Sequence, residues 1–191
     1  MRRVAGAAIG LVVLVAGCGV ATDDGPRALP RGDVPFELLA PSTTTVSSTT
    51  PVAVTTEVPV YLVGAGRLNV VRRLVESPPS LFRAIESLLA GPTADEAGAG
   101  LRSAVTNQTR LLSVRVQSGV ATIDLSGEFA TIGGQEQILA LAQLVYTATA
   151  AQGVLGVRFS LDGKTVEVPR GDGTLSQEPL GPADYAGLAP A

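Results

Sequence analysis

The chain has 191 residues, a formal net charge of −3, 46% hydrophobic residues and only 4% aromatic ones. It contains no histidine, no tryptophan, one cysteine and one lysine, which excludes a Ser-His-Asp triad, a Cys-His dyad, the common zinc sites and an internal disulfide. Carboxylate acid–base chemistry, a Ser–Lys pair resting on Lys164, or an oxygen-ligated hard cation remain, and the mild acidity argues against a nucleic-acid partner.

The first segment opens on Arg2 and Arg3 and runs through apolar residues to Val15-Ala16-Gly17-Cys18. Charge, a short greasy stretch and small residues before a cysteine make a bacterial lipobox, so residues 1–17 are expected to be a signal peptide. The stretch falls short of the about 20 residues that span a bilayer. Cleavage before Cys18 and attachment of diacylglycerol to its thiol would place the protein on the extracytoplasmic face of the cell membrane, and would account for a lone cysteine. The segment removed holds two arginines and no acid, leaving −5 on the mature chain. With no basic patch to add lipid affinity, the acyl chains carry the anchoring, at about 0.8 kcal/mol per buried methylene.

Residues 18–57 are rich in Thr, Ser and Pro and lack periodicity, which reads as a disordered tether. One apolar patch, residues 34–39 (Val34, Pro35, Phe36, Glu37, Leu38 and Leu39), interrupts it and reads either as a stray cluster or as a docking segment.

Residues 58–172 carry the pattern of one α+β domain with a single core, and 173–191 read as a C-terminal tail. Strands are expected over 58–63 and 68–75, joined at Gly64-Ala65-Gly66, a turn because no helix follows to make a phosphate loop. A helix capped by Ser77 follows, with Leu81, Ile85, Leu88 and Leu89 on one stripe and Gly91-Pro92 as its stop. A hairpin over 111–125 turns at Ser118-Gly119 and pairs Val116 with Ala121, Val114 with Ile123 and Leu112 with Leu125 on an inner face, leaving Arg115 with Thr122 and Ser113 with Asp124 outside. A second helix runs from Gly133-Gly134 to Gln152, with Leu139 and Leu144 opposite its main apolar face, so burial extends more than halfway round. A last hairpin turns at Asp162-Gly163, type I′, setting Phe159 opposite Val166 and Val157 opposite Val168. This order predicts two helices packed on one face of an antiparallel or mixed sheet.

Val58-Pro59-Val60-Tyr61-Leu62-Val63, Leu88-Leu89-Ala90-Gly91-Pro92-Thr93 with Glu96, Gly100-Leu101-Arg102-Ser103-Ala104, the run from Val120 to Phe129, the run from Ala140 to Thr147, and Val166-Glu167-Val168-Pro169 form a series along the chain. Together these stretches resemble the GerMN domain, a sporulation and spore germination domain of bacterial envelope lipoproteins, here of actinobacterial type. The resemblance implies a domain similar to ring-building modules of trans-envelope assemblies, without enzymatic activity or cofactor. It departs at Thr106-Asn107, where such domains often carry proline, and it does not imply that the organism sporulates.

The most distinctive polar cluster is Asp124, Ser126 and Glu128 around Gly127. Its oxygens could ligate a cation or do acid–base work, but so short a loop falls well below the about six ligands calcium takes. A turn and helix-entry role, with Ser126 and Glu128 satisfying loop amides, is the better reading. Arg67, Arg72 and Arg73 flank the second strand and read as solvent-face arginines, with an anionic partner as the alternative. The position of Arg102 in the resembling segment implies pairing with Glu96 or Asp124. Arg31-Gly32-Asp33 and Arg170-Gly171-Asp172 read as turns.

The expectation from sequence is a lipid-anchored, non-catalytic binding or scaffold module of the cell envelope, holding no metal and no cofactor. Asp124, Ser126, Glu128 and Arg102 are its candidate contact residues, and an envelope protein or cell-wall component its partner. The alternative is a hydrolase or ligand-binding protein using Asp124 and Glu128, and self-association through a strand edge is a third possibility.

Overall fold

A computed structural model describes residues 54–190. The expected signal peptide 1–17, Cys18, the tether up to residue 53 and the patch 34–39 lie outside the described residues.

The first two strands, β1 (Thr55–Gly64) and β2 (Arg67–Glu76), form an antiparallel hairpin of ten paired positions. Its loop is Ala65-Gly66, both at positive φ (51° and 76°), the type I′ geometry that matches strand twist. Each strand reaches beyond the stretch expected from apolar residues alone, because Thr55, Thr56 and Arg67 continue the ladder.

Helix α1 (Leu81–Leu89) buries Ala84, Ile85 and Leu88. Its cap is Ser80, whose hydroxyl accepts from the Arg83 amide at 3.2 Å, and not Ser77. Pro79 bars Pro78 from helical backbone, so no helix can begin at Ser77. Gly91, at φ 76°, ends the helix as expected. A short helix, α2 (Ala94–Gly98), follows, unforeseen although its signal was present: Thr93 and Glu96 form a reciprocal capping box.

Strands β3 (Leu111–Gln117) and β4 (Val120–Leu125) pair as expected from Ser113–Asp124 to Val116–Ala121. A bulge between Leu111 and Ser113 shifts the last pair, so Leu111 and not Leu112 faces Leu125, and Leu112 turns outward. Only β4 has a fully buried face, through Ala121, Ile123 and Leu125; Val116 on β3, expected inside, is 51% exposed because β3 is the outer strand.

Helix α3 (Gly134–Thr149) then carries the chain to β5 (Gly156–Leu161), which lies parallel to β4 with Ile123 beside Phe159. β6 (Lys164–Thr165) returns at Asp162-Gly163, both at positive φ, the expected type I′ turn. The four strands form a mixed sheet in the order β3-β4-β5-β6. The Val166 amide bonds the Phe159 carbonyl, continuing the expected register, but Val157 pairs with Leu180 and not with Val168. Val168 instead belongs to β7 (Val168–Pro169), paired with β8 (Leu175–Ser176).

The α+β class with a mixed sheet therefore stands, with the strands divided among three sheets. Helix α3 touches α1, β1 and β5 and so joins the first hairpin to the mixed sheet. It is buried nearly all round, from Leu139 through Val145 and again at Thr147 and Ala148. The segment expected to be a tail is core: Leu180 and Tyr185 are each 1% exposed, and the 3-10 segment Pro182–Leu188 packs on α3.

Two polar side chains of α3 close the free edge of β1. The Tyr61 amide donates to Thr147 Oγ1 at 3.2 Å, and Gln143, fully buried, accepts from the Ala104 amide at 2.7 Å and donates to the Tyr61 carbonyl at 2.9 Å. Arg102 continues the closure by exchanging backbone bonds with Val63, both at 2.8 Å. Gln143→Leu keeps the volume but strands a buried amide and a carbonyl, each worth about 1–3 kcal/mol. A fall in urea stability of about 2–4 kcal/mol at unchanged m-value is expected.

Candidate binding surfaces

Asp124 lies at the end of β4 with Ser126 and Glu128 just beyond it, and the first two each bond a backbone amide. Asp124 Oδ1 accepts from the Gly163 amide at 3.0 Å, while Asp162 Oδ1 accepts from the Gly127 amide at 3.3 Å. The two aspartates thus bind each other's turns across the ends of β4 and β5. Ser126 is buried, its hydroxyl accepting from the Arg110 amide at 3.0 Å and its own amide donating to the Arg110 carbonyl. The neighbouring Ser126 hydroxyl, ahead of backbone amide contact and of the Arg110 guanidinium 4.0 Å away, holds the Glu128 carboxyl below the usual range. Ser126 thus takes the turn-and-entry role read from sequence, where the 3-10 segment Gly127–Thr131 starts and buries Phe129, whereas no loop amide of another residue bonds the Glu128 carboxylate.

Arg102 does not join this cluster. Its guanidinium makes a bidentate pair with Glu136, at 2.6 and 2.8 Å, in the first turn of α3. Hydrogen bonding and charge raise the Arg102 pKa and lower that of Glu136. Of its two expected partners, Asp124 holds the Gly163 amide and Glu96 is taken by Arg73, which also donates to the Gly91 carbonyl at 2.9 Å. Arg73 is therefore an inward residue, its side chain 15% exposed, where sequence placed it in solvent. Period 2 explains the split: Arg73 shares the core-side parity of Val71 and Val75, whereas Arg72 lies on the outer face. Among the described residues, no three acidic or cysteine side chains gather in a metal-holding group.

Neither of the two main clefts contains Asp124, Ser126 or Glu128. One, of about 540 Å³, lies along Arg170, Asp172, Asp184 and Tyr185. Its arginine is already engaged, 3.3 Å from Asp184 and bonded to Ser176 Oγ at 3.1 Å. The Arg170-Gly171-Asp172 triplet is a turn as expected, with Asp172 accepting from Thr174. The other cleft, of about 520 Å³, is an apolar groove between Val58 and Pro59 of β1, Pro79 and Leu81 at the start of α1, Val116 of β3 and Ala151 after α3. Sequence reasoning missed it. The visible signal was Val116, an apolar residue on a strand too near the edge to be covered.

A further open feature is the outer edge of β2. Residues 61 and 63 of β1 bond away from β2, so 60, 62 and 64 face it, and on β2 the amides and carbonyls of Val70, Arg72 and Leu74 point outward. Nothing among the described residues pairs with them. Their side chains are exposed as well, with Val70 at 53% and Leu74 at 68%.

The family described as Germane, sporulation and spore germination, matches residues 41–167. Two solved structures from Bacillus subtilis share the fold. The tandem GerMN domains of the sporulation protein GerM are 22% identical, with a TM-score of 0.53 over 69% of this chain and 48% of that one. The first GerMN domain of the same protein is 24% identical, with a TM-score of 0.51 over 66% of this chain and 98% of that one. The chain thus spans about half the length of the tandem protein. No curated protein matches it.

Proposed function

The chain belongs to the Germane family of sporulation and spore germination domains, and from that premise we propose that it is a non-catalytic binding or scaffold module, lipid-anchored through Cys18 on the extracytoplasmic face of the cell membrane. The observation that supports this reading is how the polar groups are used. Asp124, Ser126 and Arg102 are engaged in internal bonds, and Glu128 stands beside Ser126 away from both main clefts. An apolar groove and an unpaired strand edge are left open instead. The carboxylate-hydrolase alternative requires Asp124 and Glu128 to converge in a cleft around a reacting atom, and neither of the two clefts described above is lined by them. The partner is a protein or cell-wall component of the envelope. Cross-linking in native membranes should trap it, and the product should vanish when residues 54–190 are deleted; an unchanged cross-linking pattern would defeat the proposal.

Anchoring has its own test. Among the described residues, no helix is long and apolar enough to cross a membrane. Cys18→Ser should release the protein from the membrane fraction or leave the uncut precursor embedded. A processed Cys18→Ser chain that stays with the membranes would contradict the lipid anchor.

A further inference from the structure

Among the longer strands of the described residues, β2 and β3 each end a sheet, and their edges differ. β3 is bulged near its start, a device that blunts an edge against pairing. β2 holds an unbroken register over all ten of its residues, with no bulge. Over Val70, Arg72 and Leu74 it offers three amides and three carbonyls at strand spacing, with the side chains of all three on one open face. An extended segment laid there would satisfy those backbone groups and bring its own alternate side chains onto the same face.

Resting on the binding-module reading, we propose that this edge of β2 is a strand-addition site for an extended segment of another envelope protein in which two apolar residues flank a carboxylate. Charge chooses the occupant. The Arg72 side chain is 69% exposed and the acid paired with it, Glu57, stands 4.0 Å away and is 59% exposed. A carboxylate directly across the new ladder meets Arg72 closely, while the apolar residues on either side cover Val70 and Leu74. A second copy of this chain fits poorly. The antiparallel register that sets Val70 against Leu74 sets Arg72 against the partner copy's own arginine, and like charges directly opposite destabilise a sheet.

The probe is a synthetic peptide, Thr-Val-Thr-Glu-Thr-Val-Thr, with capped ends, and a matched peptide with Lys for Glu. Hydrogen exchange on the full-length protein in detergent should slow at the amides of Val70, Arg72 and Leu74 on adding the Glu peptide. The Lys peptide should bind about tenfold more weakly, and Arg72→Glu should reverse that order. Leu74→Pro removes an outward amide without touching the β1 ladder, so it should keep the melting temperature near that of the parent while abolishing protection by either peptide. Protection elsewhere, equal binding of both peptides, or self-association that Leu74→Pro abolishes would overturn the proposal. The same variants in cells separate it from the broader reading: a cross-linked partner that survives Arg72→Glu and Leu74→Pro but is lost on deleting 54–190 leaves the module standing and removes β2 as its site.

Discussion

Phe159→Ala is expected to lower the stability of the domain by about 3–5 kcal/mol, out of the about 5–15 typical of a single domain. Phe159 is 1% exposed, sits beside Ile123 across the parallel β4–β5 pairing, and its carbonyl receives the Val166 amide. It therefore stands where the mixed sheet meets the core, and truncation leaves a cavity that neighbouring strands cannot collapse to fill. Asp124→Ala supplies the contrast. Its side chain meets the Gly163 amide, and on the other side Asp124 pairs in register with Ser113 on the half-wet face. One partly exposed hydrogen bond contributes about 1 kcal/mol. Urea melts of the two variants check the ordering; if Asp124→Ala unfolded more readily than Phe159→Ala, the inner and outer faces of this sheet would be wrongly assigned and the carboxylate would need another explanation.

The parts of the fold that sequence made legible are those written in local chemistry. Ala65-Gly66, Ser118-Gly119 and Asp162-Gly163 take the positive φ their turns require, and the register nearest each turn follows from them. Register was lost with distance from the turn. Leu112 misses Leu125 because of a bulge six residues from the turn, and Val157 misses Val168 because another segment, arriving from residue 180, takes its place. A pairing with a distant partner leaves no mark in the hairpin's own alternation. The candidate site was legible in part. Ser126 does hold a loop amide, as read from sequence, and Asp124 holds another that was not foreseen, yet Arg73 takes the Glu96 expected for Arg102, and Arg102 turns to Glu136, since these acids are equally plausible partners in one dimension. The groove and the β2 edge are properties of what fails to be covered, and only the folded chain reveals that.

Ending the chain after Asp172 should leave a domain that does not fold. The residues removed were expected to form a tail beyond a domain ending at Asp172, and the family match itself stops at residue 167. The structure makes them essential. Leu180 exchanges two 2.8 Å backbone bonds with Val157, and Tyr185 buries its ring while its hydroxyl donates to the Pro169 carbonyl at 2.8 Å. Losing a buried Leu and a buried aromatic costs about 2–5 and 3–5 kcal/mol respectively, which together reach the whole stability of an ordinary domain. Should the truncated chain disable export or expression outright, Tyr185→Ala still tests the point, with an expected loss of about 3–5 kcal/mol. Alkali gives an independent reading. Burial, then the nearby Asp184 carboxylate, pushes the Tyr185 phenol well above its ordinary range. A phenol kept neutral by folding contributes stability that is full below its unfolded pKa of about 10 and is lost as pH rises above that value. Tyr146, raised by burial and by Tyr61, adds a lesser loss in the same direction. Tyr185→Phe should therefore flatten most of the decline above about pH 10 while lowering neutral stability by about 1 kcal/mol for the lost hydroxyl bond. A truncated chain that melts cooperatively, or a Tyr185→Phe protein as alkali-sensitive as its parent, would show that these C-terminal residues rest on the core without holding it.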